Sequence, residues 1–128
     1  MPKNKTILVV EDEVLIQMVN KQMILNKGYK SCVLSSNGKD AIEKTKSIMP
    51  DMILMDIKID GDLDGIETME EIRKFSQVPV IFISGNSDDQ TFKRASQVNN
   101  VDFFTKPVDY DKLLQAMEKH FHKEDELK

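Results

Sequence analysis

The chain has 128 residues, a net charge of −4 and one cysteine. That length makes one domain, which buries roughly 65–70% of its unfolded surface and leaves no room for a second. The acidic balance argues against a nucleic-acid surface, Cys32 alone excludes an internal disulfide, and no apolar run suffices for a signal peptide or a membrane span, so a cytoplasmic protein is expected.

Short apolar runs alternate with longer stretches of helical period. Thr6–Val10 reads as a strand buried on both faces. Residues 13–27 follow as a helix, with Val14, Leu15, Met18, Val19 and Met23 as its apolar stripe and Gly28 as its stop. A weaker strand spans 30–34. Asn37 is placed to cap a helix over 39–48, with Ala41, Ile42, Thr45 and Ile48 inward and Pro50 ending it. Residues 51–55 form a second buried strand. Residues 65–75 carry Ile66, Met69 and Ile72 on one helical face. Residues 80–83 form a third buried strand, and Ser87 is placed to cap a helix over 88–98. A short strand covers 102–104. Asp109 is placed to cap a last helix with the stripe Leu113, Leu114, Met117 and Phe121, and residues 123–128 read as a frayed tail beyond a core of about 5–122.

Five such β-α units imply a three-layer α/β/α fold, a parallel sheet with helices on both faces. In the flavodoxin-like strand order 2-1-3-4-5, strands one and three are neighbours at the switch point, and ligands bind beyond their carboxyl ends. Both strands run into acid, the first at Glu11 and Asp12, the third at Asp56. Three carboxylates in one crevice raise one another's pKa unless a cation neutralises them. Mg²⁺ suits them, because it takes oxygen ligands and is held by one or two carboxylates plus a phosphate; Mn²⁺ is the alternative. Solvated loop acids are the bland alternative for Glu11 and Asp12, and Glu13 reads as first-turn helix charge. The fourth strand delivers Ser84 and the fifth Lys106 to the same end of the sheet. Asp56 is then a candidate nucleophile toward phosphorus, with Ser84 and Lys106 around the phosphoryl oxygens.

The segments VVEDE, MDIKI, ISGN and FFTKP, in this order and spacing, resemble those of a two-component response regulator receiver domain of the single-domain, chemotaxis-regulator type. The resemblance covers roughly residues 5 to 122. It implies that Asp56 accepts a phosphoryl group from a histidine kinase or histidine phosphotransfer protein. It also implies that Glu11, Asp12, Asp56 and the backbone carbonyl of Lys58 bind Mg²⁺. Ser84 and Lys106 would contact the phosphoryl group, and Lys106–Pro107 would be a cis peptide. Phe103 matches the switch aromatic that moves with Ser84, changing the face built from helix four, strand five and helix five. The downstream target is a protein, with no direct nucleic-acid or membrane contact, and a phosphorylation-dependent homodimer is an open option. Such a domain catalyses its own phosphorylation and slow dephosphorylation and is classed as a switch, not an enzyme.

Some positions depart from the family pattern. The Pro expected after Asp56 is absent, and Gly65 lies nine residues on, not eight, so the loop carries one extra residue. Asn99-Asn100 replaces a frequent Gly-Ala, and Asn99 is expected to supply the glycine's left-handed backbone. Val108 stands where the family frequently has Phe. Lys58 and Asn86 occupy the positions that tune phosphoryl lifetime. Asp60, Asp62, Asp64, Gly65 and Glu71 also fit a calcium-loop pattern. A strand precedes that loop where a helix is required, and Glu67 takes a usually apolar place, so a solvated turn capping the next helix is the better reading. His120 and His122 point to different helix faces and make a poor metal pair.

Two competitors remain in view. A Mg²⁺-dependent phosphatase with an Asp nucleophile would want a second acid two residues after Asp56, where Lys58 stands. A phosphorylation-independent binding module would not need every one of these positions filled.

Overall fold

The apolar runs pair as neighbours, and their alternate side chains serve opposite faces. A computed structural model describes residues 4–85 and 88–126. Its strands are β1 (Thr6–Val10), β2 (Ser31–Ser35), β3 (Met52–Asp56), β4 (Val80–Ser84) and β5 (Val101–Thr105). All neighbouring pairs are parallel, in the order β2-β1-β3-β4-β5. The helices are α1 (Val14–Asn26), α2 (Gly38–Ile48), α3 (Gly65–Ile72), α4 (Asp89–Ser96) and α5 (Tyr110–Glu126).

Leu8, Ile53, Met55, Val80 and Phe82 point to the face covered by α2, α3 and α4. Ile7, Val9, Met52, Leu54, Ile81 and Ile83 point to the face covered by α1 and α5. Every residue of β3 and β4 is buried, which is why these central strands read as unbroken apolar runs.

The local signals mostly act as expected. Asn37 caps α2, its side chain accepting the Asp40 N–H at 2.8 Å. Asp109 accepts the Lys112 N–H at 3.2 Å at the start of α5. Asp64 and Glu67 form a reciprocal capping box on α3. Gly28 ends α1 with φ at 99°. Gly38 packs so closely on α3 that a Cβ there would lie 2.2 Å from Thr68 Oγ1. α5 runs through Glu126, into the segment expected to fray.

Five expectations need correction. The stripe assigned to α1 faces outward: Val14, Leu15, Met18 and Val19 are all exposed, and Asn20 and Ile24 are buried instead. Only Met23 of that stripe is packed against the core. Ile48 of α2 is likewise outside. Glu13 precedes α1 as its N-cap residue and makes no side-chain cap bond. α4 is capped by Asp88, which accepts the Thr91 N–H at 2.7 Å; Ser87 lies outside the described residues. The left-handed residue before β5 is Asn100, with φ at 58°, not Asn99. Its amide donates to the Gln77 carbonyl at 3.1 Å, which holds the turn.

Candidate functional site

Sheet register brings the acids together. Val10 lies opposite Met55, so the next residues, Glu11 and Asp56, emerge side by side. The Glu11 N–H donates to the Ser35 carbonyl at 2.9 Å, extending the ladder by one residue. Gln17 of α1 donates to the Glu11 and Ser35 carbonyls and ties the helix to both strand ends. Carboxylate oxygens of Glu11, Asp12 and Asp56 lie within 4.8 Å of one another. Glu11 and Asp56 are buried and Asp12 half-buried.

Asp56 is held on both oxygens. Lys106 Nζ donates to Oδ2 at 2.8 Å, and the Lys58 backbone N–H donates to Oδ1 at 3.2 Å. Lys106 Nζ also stands 3.6 Å from Glu11 Oε1. Its own backbone N–H donates to the Ser84 carbonyl at 2.8 Å, and the peptide to Pro107 is cis, as expected. Ser84 is buried at the end of β4, in register with Thr105. A cleft lined by Asp12, Asp56, Lys58, Asp60 and Lys106 opens above them.

The charges are unevenly satisfied. Burial, and then the Asp56 carboxylate beside it, push the Glu11 carboxyl up to about 7. Burial works against the Lys106 ammonium, but its hydrogen bond to Asp56 and the two nearby carboxylates outweigh it and hold the pKa above the ordinary lysine value. Two carboxylates beside one ammonium leave the crevice short of positive charge. A hard divalent cation fits that deficit, and Glu11, Asp12 and Asp56 form the only cluster of at least three possible ligand side chains among the described residues.

The loop after Asp56 absorbs its extra residue without moving Gly65 off the strand end. The Gly65 N–H donates to the Ile57 carbonyl at 2.7 Å, and a Cβ on Gly65 would lie 2.3 Å from the Asp56 carbonyl oxygen. Gly61 turns the loop with φ at 103°, and Asp60 bridges to Asn37. The calcium-pattern acids are spent elsewhere: Asp64 caps α3 and pairs with Arg94 at 3.0 Å, and Glu71 pairs with Lys74 at 2.8 Å. Lys58 is exposed at the rim, and Asn86 lies outside the described residues.

Sequence reasoning missed two polar positions and one polar contact. Gln17 and Asn20 turn inward from α1, and their i, i+3 spacing is the only signal that marked them. His120 of α5 lies 2.9 Å from Asp102 of β5, across the helix–strand seam.

Fold and site together define a class, a doubly wound α/β domain with an acidic pocket, a buried aspartate and a lysine at the carboxyl end of its sheet. The chain belongs to the response regulator receiver domain family, whose model matches residues 7–118. It is 32% identical over 114 residues to the chemotaxis protein CheY of Bacillus subtilis, covering 88% of this chain and 94% of that one. It is 34% identical over 120 residues to the probable C4-dicarboxylate response regulator DctR of the same organism, covering 92% of this chain and 53% of that one. The chain thus spans about half the length of the DctR proteins it matches. The signal receiver domain of a modulated diguanylate cyclase from Desulfovibrio desulfuricans superposes with a TM-score of 0.87 at 32% identity, covering 98% of this chain and 99% of that one. The chain is thus a receiver domain of the two-component response regulator class, consistent with phosphorelay signalling. Among the described residues no helix is long and apolar enough to cross a membrane.

Proposed function

We propose that Asp56 is the phospho-acceptor of this receiver and that Glu11, Asp12, Asp56 and the Lys58 carbonyl hold Mg²⁺, with Mn²⁺ as a substitute. The observation that carries this reading is the Asp56 carboxylate, buried, fixed on both oxygens and grouped with two further acids. An Asp56 oxygen attacks phosphorus, the bond to the donor's imidazole nitrogen breaks, and the imidazole leaves with that electron pair. Lys106 exchanges part of its contact with Asp56 for the incoming phosphoryl oxygens. The Ser84 hydroxyl takes a second oxygen. The cation supplies charge neutralisation when bound. The same groups then support slow hydrolysis of the acyl phosphate.

The donor docks on the outward apolar stripe of α1. Val14 and Leu15 follow directly on Asp12 and Glu13, so a phosphohistidine-bearing helix seated there reaches the cleft. The readout runs through α4, β5 and α5. The Phe103 ring is half-buried and stacks edge-on against exposed Phe92, with centroids 5.4 Å apart. Movement of Ser84 toward the phosphoryl group lets Phe103 turn inward, which frees Phe92 and changes that face for a protein target or a second phosphorylated copy.

Intact mass after incubation with acetyl phosphate tests the chemistry. A gain of about 80 Da (the mass of HPO₃) that needs Mg²⁺ and vanishes in Asp56→Asn is expected. A native chain that never gains the mass, or an Asp56→Asn chain that gains it equally, overturns the assignment.

A further inference from the structure

Helix α1 starts without the usual anchor. Glu13 makes no side-chain cap bond, and the first turn carries no acidic residue. The segment ahead of it, residues 11–13, lies between β1 and α1 and belongs to neither. Glu11 and Asp12 of that segment are grouped with Asp56. Without a cation, repulsion among the three carboxylates drives the segment away from β3. Gln17, half-buried one turn inside the helix, opposes this. Its Nε2 donates to the Glu11 carbonyl and, at 3.4 Å, to the Ser35 carbonyl. Carbonyls only accept, so these two partners require the nitrogen side of the carboxamide. The Gln17 backbone N–H donates to the Glu13 carbonyl at 3.0 Å. One residue therefore grips the segment at both ends, with Asp12 between the two grips. The second anchor is itself fixed. The Ser35 carbonyl also takes the Glu11 N–H at 2.9 Å, and the Ser35 hydroxyl donates to Asp40 at 2.7 Å.

On the reading that Glu11, Asp12 and Asp56 hold Mg²⁺, we propose that Gln17 is a positioning residue of that site. It touches neither the cation nor the phosphoryl group. By fixing the backbone on both sides of Asp12, it sets how far the Glu11 and Asp12 carboxylates reach toward Asp56. Removing a group that orients a metal ligand from outside the coordination sphere weakens metal binding by roughly 10–100-fold. Gln17 holds the ligands' backbone and not their carboxylates, so the lower end of that range, about tenfold, is expected. A tie that only stabilised the fold would lower the melting temperature and leave the affinity for the cation alone.

The test is a Mg²⁺ titration of the isotope-labelled full chain by NMR, with no phosphoryl donor present, read at the amides of Asp12 and Lys58. Gln17→Met keeps the length of the side chain and removes the donor. It is expected to raise the Mg²⁺ Kd about tenfold. Gln17→Leu takes its place if Gln17→Met does not fold. Thr45→Val removes a buried hydrogen bond to the Ala41 carbonyl within α2 and is expected to keep the native Kd. With acetyl phosphate, the half-saturating Mg²⁺ concentration of Gln17→Met should rise by the same factor as its Kd, and the rate at saturating Mg²⁺ should stay within about twofold of native. An unchanged Kd in the folded variant overturns the proposal. So does an equal loss of affinity in Thr45→Val, or a rate deficit that saturating Mg²⁺ does not repair. A native chain with no saturable shifts at Asp12 and Lys58 overturns the Mg²⁺ reading itself, and the role of Gln17 with it.

Discussion

Helices α1 and α3 treat their apolar residues in opposite ways. In α3, Ile66, Met69 and Ile72 are buried while Glu67, Glu70 and Glu71 stay at the surface, as burial of apolar area requires. In α1, Val14, Leu15, Met18 and Val19 look outward while Asn20 is buried. Their starts differ as well: α3 is closed by a reciprocal capping box, and α1 by Glu13 with no cap bond. The lesson is one of purpose. α3 is built to hold the domain together, and α1 gives up that stability to present a face beside the acidic cleft.

The sharpest test of this contrast is stability. Met69→Ala is expected to cost about 2–5 kcal/mol. Met18→Ala should cost no more than about 0.5 kcal/mol, the range for exposed sites. Urea unfolding of both variants checks it, and equal losses would erase the distinction. Next comes recognition. Leu15→Glu with Met18→Lys is expected to slow phosphotransfer from a histidine kinase that phosphorylates the native chain about tenfold, since central apolar anchors carry more than about 1 kcal/mol each. Phosphorylation by acetyl phosphate should be unchanged, so an equal fall in both rates would place the stripe in the chemistry and not in docking.

A third pair compares buried polar groups. Thr68 of α3 is fully buried and donates to the Asp64 carbonyl at 2.7 Å, so Thr68→Val should destabilise by about 1 kcal/mol. Asn20→Leu in α1 should stabilise by a similar amount, about 1 kcal/mol, because it exchanges a nearly buried carboxamide for apolar area against apolar neighbours. Opposite signs in thermal unfolding are the expected outcome. The smallest effect lies just ahead of α1. Glu11 has a pKa raised from 4.5 to about 7, so its contribution to stability is full below pH 4.5 and is lost as pH rises through 7. Without divalent cation, the urea midpoint of the native chain should fall over that interval more than that of Glu11→Gln. Added Mg²⁺ should recover most at the alkaline end, because it competes with the proton for the same oxygen.

These contrasts also explain what the sequence disclosed. β3 and β4 were legible because both their faces are buried, so no choice of face had to be made. α3 and α5 were legible because their stripes follow the ordinary rule. Glu11, Asp12, Asp56, Ser84 and Lys106 were legible as candidates because parallel strands deliver their last residues to one edge. α1 was misread because periodicity locates an apolar face but does not say whether core or partner covers it. Asn20 escaped for the same reason, since its burial shows only once the stripe is turned outward. Asn99 and Asn100 are chemically identical, and only the pairing of Val80 N–H with the Asn100 carbonyl, at 3.1 Å, fixes which one bends.

The contact between Gly38 and Thr68 has a consequence for descent. A Cβ at 38 would meet the Thr68 hydroxyl at 2.2 Å and the Leu63 Cβ at 3.2 Å. Neither of these is the yielding tip of a long side chain. Lineages that acquire alanine at 38 should therefore carry a smaller residue at 68, and reversion at one position should follow reversion at the other. Two sites thirty residues apart would drift as a single inherited character.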